Sequence, residues 1–282
     1  MCDLCNDSGW KPVTADGVTR VVRCECQRPH LVERALQHAR IPPRYLKCDL
    51  DTFVIYSNEK LTRAVAQVRR FADAFPVVEK GLLLSGPPGI GKTHIAVAAL
   101  KRVIQRTGAR ALFYDTRELL KLIRETYNPS THTAEMDVLR PVMEAELLVL
   151  DDLGSEKPSE WVGETMNLIV NTRYNEKRPT IFTTNFEDNP DPSEPESLLA
   201  RVGHRIHSRL HEMCELIDWD GADYRQLPPN GGVEDLTLMY RKGRPTAGRK
   251  ALPSRAGGAA RAQLRERDGR TDLRWTGGKA GS

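Results

Sequence analysis

No stretch of the 282-residue chain approaches the ~20 consecutive apolar residues that a membrane span requires. The chain opens Met-Cys-Asp-Leu-Cys, without the charged-then-apolar pattern of a secretory leader. Together these absences predict a cytoplasmic protein with no membrane partner. A strong charge of either sign is also lacking: the formal net charge is +4. That balance excludes a uniformly basic nucleic-acid binder, but it is uneven. From Pro228 onward twelve Lys and Arg residues face five Asp and Glu, a net of +7, which leaves about −3 for the rest. Cysteine is nearly missing after the first thirty residues, where only Cys48 and Cys214 remain, isolated from each other. In a reducing compartment this distribution argues for thiols or metal ligands, not a disulfide framework.

The other four cysteines form two close pairs, Cys2-x-x-Cys5 and Cys24-x-Cys26, eighteen residues apart. Between them Val18 to Val22 alternates as a short hairpin strand would. Two such pairs on two turns can bring four thiolates to one tetrahedral Zn²⁺, whose binding would supply the folding energy of a segment too short for a core. The second pair is tighter than the usual C-x-x-C, and His30 could replace one cysteine; free or redox-active thiols are the alternative. Leu31 to Arg40 reads as a helix, stopped by Ile41-Pro42-Pro43. A second helix runs from about Asn58 to Phe75, with Leu61, Val65, Val68, Ala72 and Phe75 on one face.

The most specific signal follows. The apolar run Gly81 to Ser85 leads into Gly86-Pro87-Pro88-Gly89-Ile90-Gly91-Lys92-Thr93, and helical character runs from His94 to Arg106. Strand, glycine-rich turn and helix start form the setting of a phosphate-binding loop. Glycines let the backbone turn its N–H groups inward onto phosphate oxygens, and the helix adds its positive end. Lys92 can reach the β- and γ-phosphates of ATP, and the Thr93 hydroxyl can ligate Mg²⁺. Ala111 to Tyr114 is a second buried strand, and Asp115 with Glu118 starts a helix as a capping box would. Leu147 to Leu150 is a third, wholly apolar as a parallel strand covered on both faces should be. It ends in Asp151-Asp152. Asp151 can hold Mg²⁺ and Asp152 can polarise the water that attacks the γ-phosphate. A fourth strand, Pro179 to Thr184, ends in Asn185, which could position that water.

Ser197 starts a helix read as continuous through Leu210, with Leu198, Val202, Ile206 and Leu210 at i+4 spacing. Arg201, Arg205 and Arg209 recur at the same spacing, so they should share one face. Such a stripe either is simply solvated or offers an arginine to a neighbouring subunit's γ-phosphate. His204, His207 and His211 decorate the same helix. His207 and His211 have ligand-like spacing, but no carboxylate motif accompanies them and they read as surface or packing residues. Cys214 to Asp220 is a last strand-like run, followed by Asp223-Tyr224-Arg225. Beyond Leu227 the composition, rich in Gly, Pro, Ala and Arg, predicts disorder, with anchors only at Leu236 to Tyr240 and Leu264 to Trp275.

These residues resemble a family. Loop, Asp151-Asp152 strand, Asn185 strand and arginine-rich helix stand in the order of an AAA+ ATPase. More narrowly, the sequence resembles helicase loaders of the DnaC/DnaI type, through Cys24-Glu-Cys26, Ile41-Pro42-Pro43-Arg44-Tyr45 with Phe53, Arg205-Ile-His-Ser-Arg209-Leu, Met213-Cys214 and Asp223-Tyr224-Arg225. The resemblance spans about residues 1–226. It implies an α/β fold: a P-loop AAA+ parallel sheet flanked by helices, preceded by a small zinc-binding module and followed by a disordered tail. The module, 1–40, would grip a replicative DNA helicase. The ATPase domain, 41–227, would self-associate through its ATP sites, and the basic tail, 228–282, lies outside the resemblance. By position, Lys92 and Thr93 belong to Walker A, Asp151 and Asp152 to Walker B, and Asn185 is sensor 1. Arg209, with Arg205 in reserve, is the arginine finger, and Arg225 is the sensor 2 arginine. Lys121, Arg124 and Tyr127, within about Glu118 to His132, would lie along single-stranded DNA. The expected function is ATP-dependent loading of the helicase onto single-stranded DNA. The competing expectations are an IstB-type transposition helper ATPase and a zinc and P-loop nucleic-acid binder without turnover.

Overall fold

A computed structural model describes the chain except for residues 1, 7, 16–17, 129–133, 190–193, 195–196 and 244–282. Elements are numbered in chain order. An antiparallel hairpin comes first, β1 (Trp10–Ala15) and β2 (Val18–Arg23), in register from Trp10↔Arg23 to Ala15↔Val18. Helix α1 (Arg28–His38) follows, then α2 (Glu59–Ala74), capped by the Asn58 side chain, which accepts from the Leu61 N–H. The core alternates strand and helix: β3 (Gly81–Ser85), α3 (Lys92–Thr107), β4 (Ala111–Asp115), α4 (Thr116–Glu125), α5 (Glu135–Glu144), β5 (Leu147–Asp151), α6 (Glu160–Asn175) and β6 (Thr180–Thr184). After it come α7 (Leu198–Val202), α8 (His204–Met213), β7 (Cys214–Asp218) and α9 (Val233–Gly243).

Strands β3 to β7 form one parallel sheet in the order β4-β5-β6-β3-β7. Its inner strands β3, β5 and β6 are buried along their whole length because both faces are covered. Leu82 and Leu84 of β3 point into a core shared with α2 and α3, through Val65, Val68, Ala96 and Leu100. Leu83, between them, points into the opposite core with Leu119, Ile123, Ile169 and Leu210. Placing β3 between β6 and β7 brings the ends of β5, β6 and β3 to one rim, where open α/β sheets bind ligands.

Arg173 of α6 has no exposed surface. Its guanidinium donates to the Thr180 hydroxyl and to the carbonyls of Val142, Met143, Ala145 and Pro179. One side chain thereby satisfies the end of α5 and the start of β6, whose acceptors would otherwise be stranded away from water.

Three expectations are corrected. The helix begun at Ser197 is not continuous: Gly203, at φ 80° and ψ 160°, breaks it into α7 and α8. Arg201 therefore leaves the stripe, and its guanidinium lies over the Phe186 ring instead, at 4.5 Å. Order also continues past residue 227, because α9 buries Leu236 completely and Tyr240 almost so, against the α2/α3 core. A leucine and a tyrosine on one helical face, each contributing about 1.5–3 kcal/mol on burial, outweigh the local composition. Third, α5 occupies a stretch that the sequence pattern left without an element, with Leu139 and Val142 buried. The possible anchors at Leu264 to Trp275 lie outside the described residues.

Candidate nucleotide site

The site is built at the rim by three strand ends and one loop. Gly89 and Gly91 adopt φ +84° and +96°, a region that L side chains avoid. Space excludes a side chain as firmly: a Cβ on Gly89 would lie 1.9 Å from Asp223 Oδ1, and one on Gly91 2.9 Å from the Phe53 ring. The loop then feeds α3, so free N–H groups and the helix's positive end face one hollow. Lys92 reaches back and donates to the carbonyls of Gly86 at 2.6 Å and Pro87 at 2.7 Å. Burial lowers its pKa to about 8, against the opposing pull of Asp151 and Asp152.

The Thr93 hydroxyl donates to Asp151 Oδ2 at 3.1 Å, and the Thr183 hydroxyl donates to Asp151 Oδ1 at 2.6 Å. Burial drives the Asp151 carboxyl up to about 6 despite these two bonds. Thr116 of α4 donates to the Asp151 carbonyl at 2.7 Å, which fixes the strand end from a third side. The next residue turns out of the strand: Asp152 has φ +57°, and its N–H donates to the Thr183 hydroxyl at 2.9 Å. Its Oδ1 accepts from Asn185 Nδ2 at 2.6 Å. A hydroxyl beside a carboxylate is the hard oxygen set that Mg²⁺ prefers. The donor-rich loop fits phosphates, so both ATP and Mg²⁺ match the residues present.

These groups line a cleft of about 590 Å³, whose wall also includes Arg44, Tyr45, Phe53, Tyr224 and Arg225. The segments 53–56 and 222–224 are fastened together: Tyr224 donates its hydroxyl to the Val54 carbonyl at 2.6 Å, and the Ala222 N–H donates to the Tyr56 hydroxyl at 2.7 Å. The Phe53 and Tyr224 rings meet at a tilt of 46°, with 5.5 Å between ring centres. The Tyr224 N–H donates to the Gly89 carbonyl at 3.0 Å, which sets Arg225 against the phosphate loop. Arg205 and Arg209 do not line this cleft; Arg205 is exposed, and Arg209 donates to the Arg205 carbonyl at 3.1 Å. Thr183 is the residue that sequence reasoning passed over. The signal was the repeated threonine before Asn185, since a hydroxyl inside a buried strand must have a partner.

At the other end of the chain, Cys2 Sγ lies 3.7 Å from Cys24 Sγ, and Cys5 Sγ lies 3.4 Å from Cys26 Sγ. All four sulfurs fall within 4.8 Å of one another. Tetrahedral Zn–S bonds of about 2.3 Å would separate sulfurs by roughly 3.8 Å, so the cluster fits zinc. Burial raises the Cys5 thiol, but hydrogen bonds from Cys26 and the Gly9 backbone outweigh it and bring it down to about 7. His30 is not in the cluster.

The residues expected along single-stranded DNA are engaged locally. Lys121 lies 3.8 Å from Glu125, Arg124 lies over the Trp161 ring at 4.7 Å, and Tyr127 accepts from Trp161 Nε1 at 3.2 Å. The stretch 129–132 of that segment lies outside the described residues.

A family model described as IstB-like ATP binding protein matches residues 27–226. The chain belongs to that family. It is also similar to the replicative helicase loader DnaC of Escherichia coli (strain K12), with 24% identity over 192 residues, 67% of this chain and 74% of the relative. Among solved structures, that of the DnaC helicase loader shares 36% identity and a TM-score of 0.56, covering 63% of this chain and 99% of that one. The structure of DnaI shares 25% identity and a TM-score of 0.51, covering 64% and 94%. Family and fold agree: this is an AAA+ ATPase domain of the DnaC type, with a cysteine cluster before it. Among the described residues no helix is long and apolar enough to cross a membrane.

Proposed function

We propose that the protein hydrolyses ATP to load a replicative DNA helicase onto single-stranded DNA. The observation that carries this is the linked set Thr93–Asp151–Thr183 and Asp152–Asn185, facing a phosphate loop in a DnaC-like core. A module that only held nucleotide would have no use for a second carboxylate held in place by an asparagine.

Loop N–H groups bind the phosphates, and Lys92 turns from the Gly86 and Pro87 carbonyls toward the β- and γ-oxygens. Thr93 and Asp151 hold Mg²⁺, which offsets phosphate charge when bound. Asp152 orients the attacking water and Asn185 fixes Asp152. Arg225 approaches the phosphates from its own chain. Arg209, or Arg205 beside it, approaches from a neighbouring subunit, since both lie away from their own cleft. ATP-dependent self-association would then decide when hydrolysis is complete. The cysteine module, 1–40, holds zinc and contacts the helicase, while 41–227 carries ATPase and DNA contact, and the basic residues after 228 add nonspecific DNA affinity.

The test is ATP turnover with and without single-stranded DNA, joined to capture of a hexameric replicative helicase. Lys92→Ala should abolish turnover and leave capture through the cysteine module in place. Full turnover in Lys92→Ala would refute the assigned chemistry. The matching family model favours a second reading, a helper ATPase for a transposase. Capture of a transposase and not a helicase decides for it.

A further inference from the structure

His207 and His211 stand one turn apart on α8, and tertiary structure supplies the carboxylate that their local sequence lacks. Asp188 lies four residues beyond the end of β6. Its Oδ1 is 2.7 Å from His207 Nε2 and 3.2 Å from His211 Nε2, and the two Nε2 atoms are 3.3 Å apart. Three ligand atoms from two elements thus converge on one point. We propose that Asp188, His207 and His211 form a second metal site, for Zn²⁺ or a similar first-row divalent cation, separate from the cysteine cluster and from the nucleotide cleft.

The geometry supports this directly. Zinc bonds to nitrogen and oxygen of about 2.0–2.1 Å place neighbouring tetrahedral ligands roughly 3.3 Å apart. Two of the three separations already have this value, and the third needs to open by about half an ångström. Imidazole and carboxylate are the donor types that zinc and its neighbours in the first transition row accept. The Asp188 and His207 side chains are only 16% and 15% exposed, while His211 is 46% exposed. Two ligands are therefore held in the protein, and the open side leaves the fourth position to water.

The backbone prepares the site. Glu187 bridges Ser197, and its carbonyl accepts from the Leu198 N–H at 2.8 Å, which closes the loop that presents Asp188. Gly203 breaks the helix one turn before His207, and so sets the rotation of α8 independently of α7. Without metal the three groups could simply be two imidazole N–H donors on one carboxylate. The two readings differ in whether the Nε2 atoms carry protons or a cation. When filled, the site would fasten α8, which carries Arg205 and Arg209, to the loop that begins at Asn185. Any effect on turnover rests on the ATPase reading above; metal binding itself does not.

The experiment uses the full chain, stripped of metal and then loaded with Zn²⁺ or Co²⁺ at pH 7.5. Imidazole ¹H–¹⁵N spectra should show Zn²⁺ shifting the Nε2 resonances of two histidines, identified by their loss in His207→Gln and His211→Gln. With Co²⁺ the double variant should lose the bands of a nitrogen- and oxygen-ligated ion and keep the thiolate charge-transfer band of the cysteine cluster. Asp188→Asn should weaken Co²⁺ binding at this site about tenfold or more. Should the double variant fail to fold, the wild-type imidazole spectrum decides alone. Unshifted Nε2 resonances with Zn²⁺ in excess, or Co²⁺ bands identical in wild type and a folded double variant, would overturn the proposal.

Discussion

Asn185 Nδ2 donates to Asp152 Oδ1 at 2.6 Å, across the gap between the ends of β6 and β5. The bond joins two residues 33 positions apart, and it holds a carboxylate whose backbone sits at φ +57°. Backbone strain of this kind persists only where surrounding contacts enforce it.

That bond gives the first prediction. Asn185→Ala should leave ATP affinity within a few-fold of wild type, because Asn185 is not part of the phosphate loop. Turnover should fall about 10²-fold, the scale of a lost orienting or acid–base contact. A fluorescent nucleotide titration beside a phosphate-release assay separates the two quantities. A loss confined to affinity would count against the role given to Asp152.

Asp151 makes the second. Its folded pKa is raised from 3.8 to about 6, chiefly by burial. A raised pKa means that the protonated form suits the folded state. The associated stability is fully present below pH 3.8 and is lost as pH rises through about 6. At pH 7 the ionised carboxylate therefore costs about 2–3 kcal/mol in the nucleotide-free protein. Asp151→Asn should raise Tm by roughly 5 °C at pH 7 while abolishing Mg²⁺-dependent turnover. The gain over wild type should shrink as pH falls from 7 to 4. Calorimetry at several pH values checks it, and a gain that grows on acidification would contradict the sign.

Gly89 carries the third. Gly89→Ala meets Asp223 Oδ1 at 1.9 Å and must keep φ +84°. The expected cost is about 1–3 kcal/mol, visible as an earlier urea midpoint. Because Tyr224 bonds the Gly89 carbonyl, the clash should also displace Arg225, and nucleotide affinity should drop with stability.

The fourth concerns Arg173, far from the chemistry. Arg173→Met keeps much of the volume but removes every donor to Thr180 and four carbonyls. Each stranded acceptor costs on the order of 1–3 kcal/mol, less what is regained by no longer burying a charge. A net loss of about 3 kcal/mol or more is expected in urea unfolding, and a variant as stable as wild type would show that water replaces the guanidinium.

Much of the molecule was legible in one dimension because its signals are local. Leu147 to Leu150 reads as a buried strand from its own side chains, and Gly86 to Thr93 reads as a phosphate loop from the backbone freedom it needs. The helices failed where a local rule had a distant competitor. The i+4 pattern from Leu198 to Leu210 reads as one helix, yet the chain turns at Gly203 and the Arg201 guanidinium lies over the Phe186 ring. Leu236 and Tyr240 stood in disorder-prone composition, and the α2/α3 core made an ordered helix of them.

The sequence by itself determined the strand and helix alternation, the phosphate loop, the acidic strand end and the paired cysteines, since each depends on neighbours within a few residues. Tertiary structure alone decided that Thr183 clamps Asp151, that Phe53 and Tyr224 wall the cleft, and that Asp188 meets His207 and His211. Those pairs are separated by 19 to 171 positions. No periodicity connects them, and only the folded chain brings their side chains into contact.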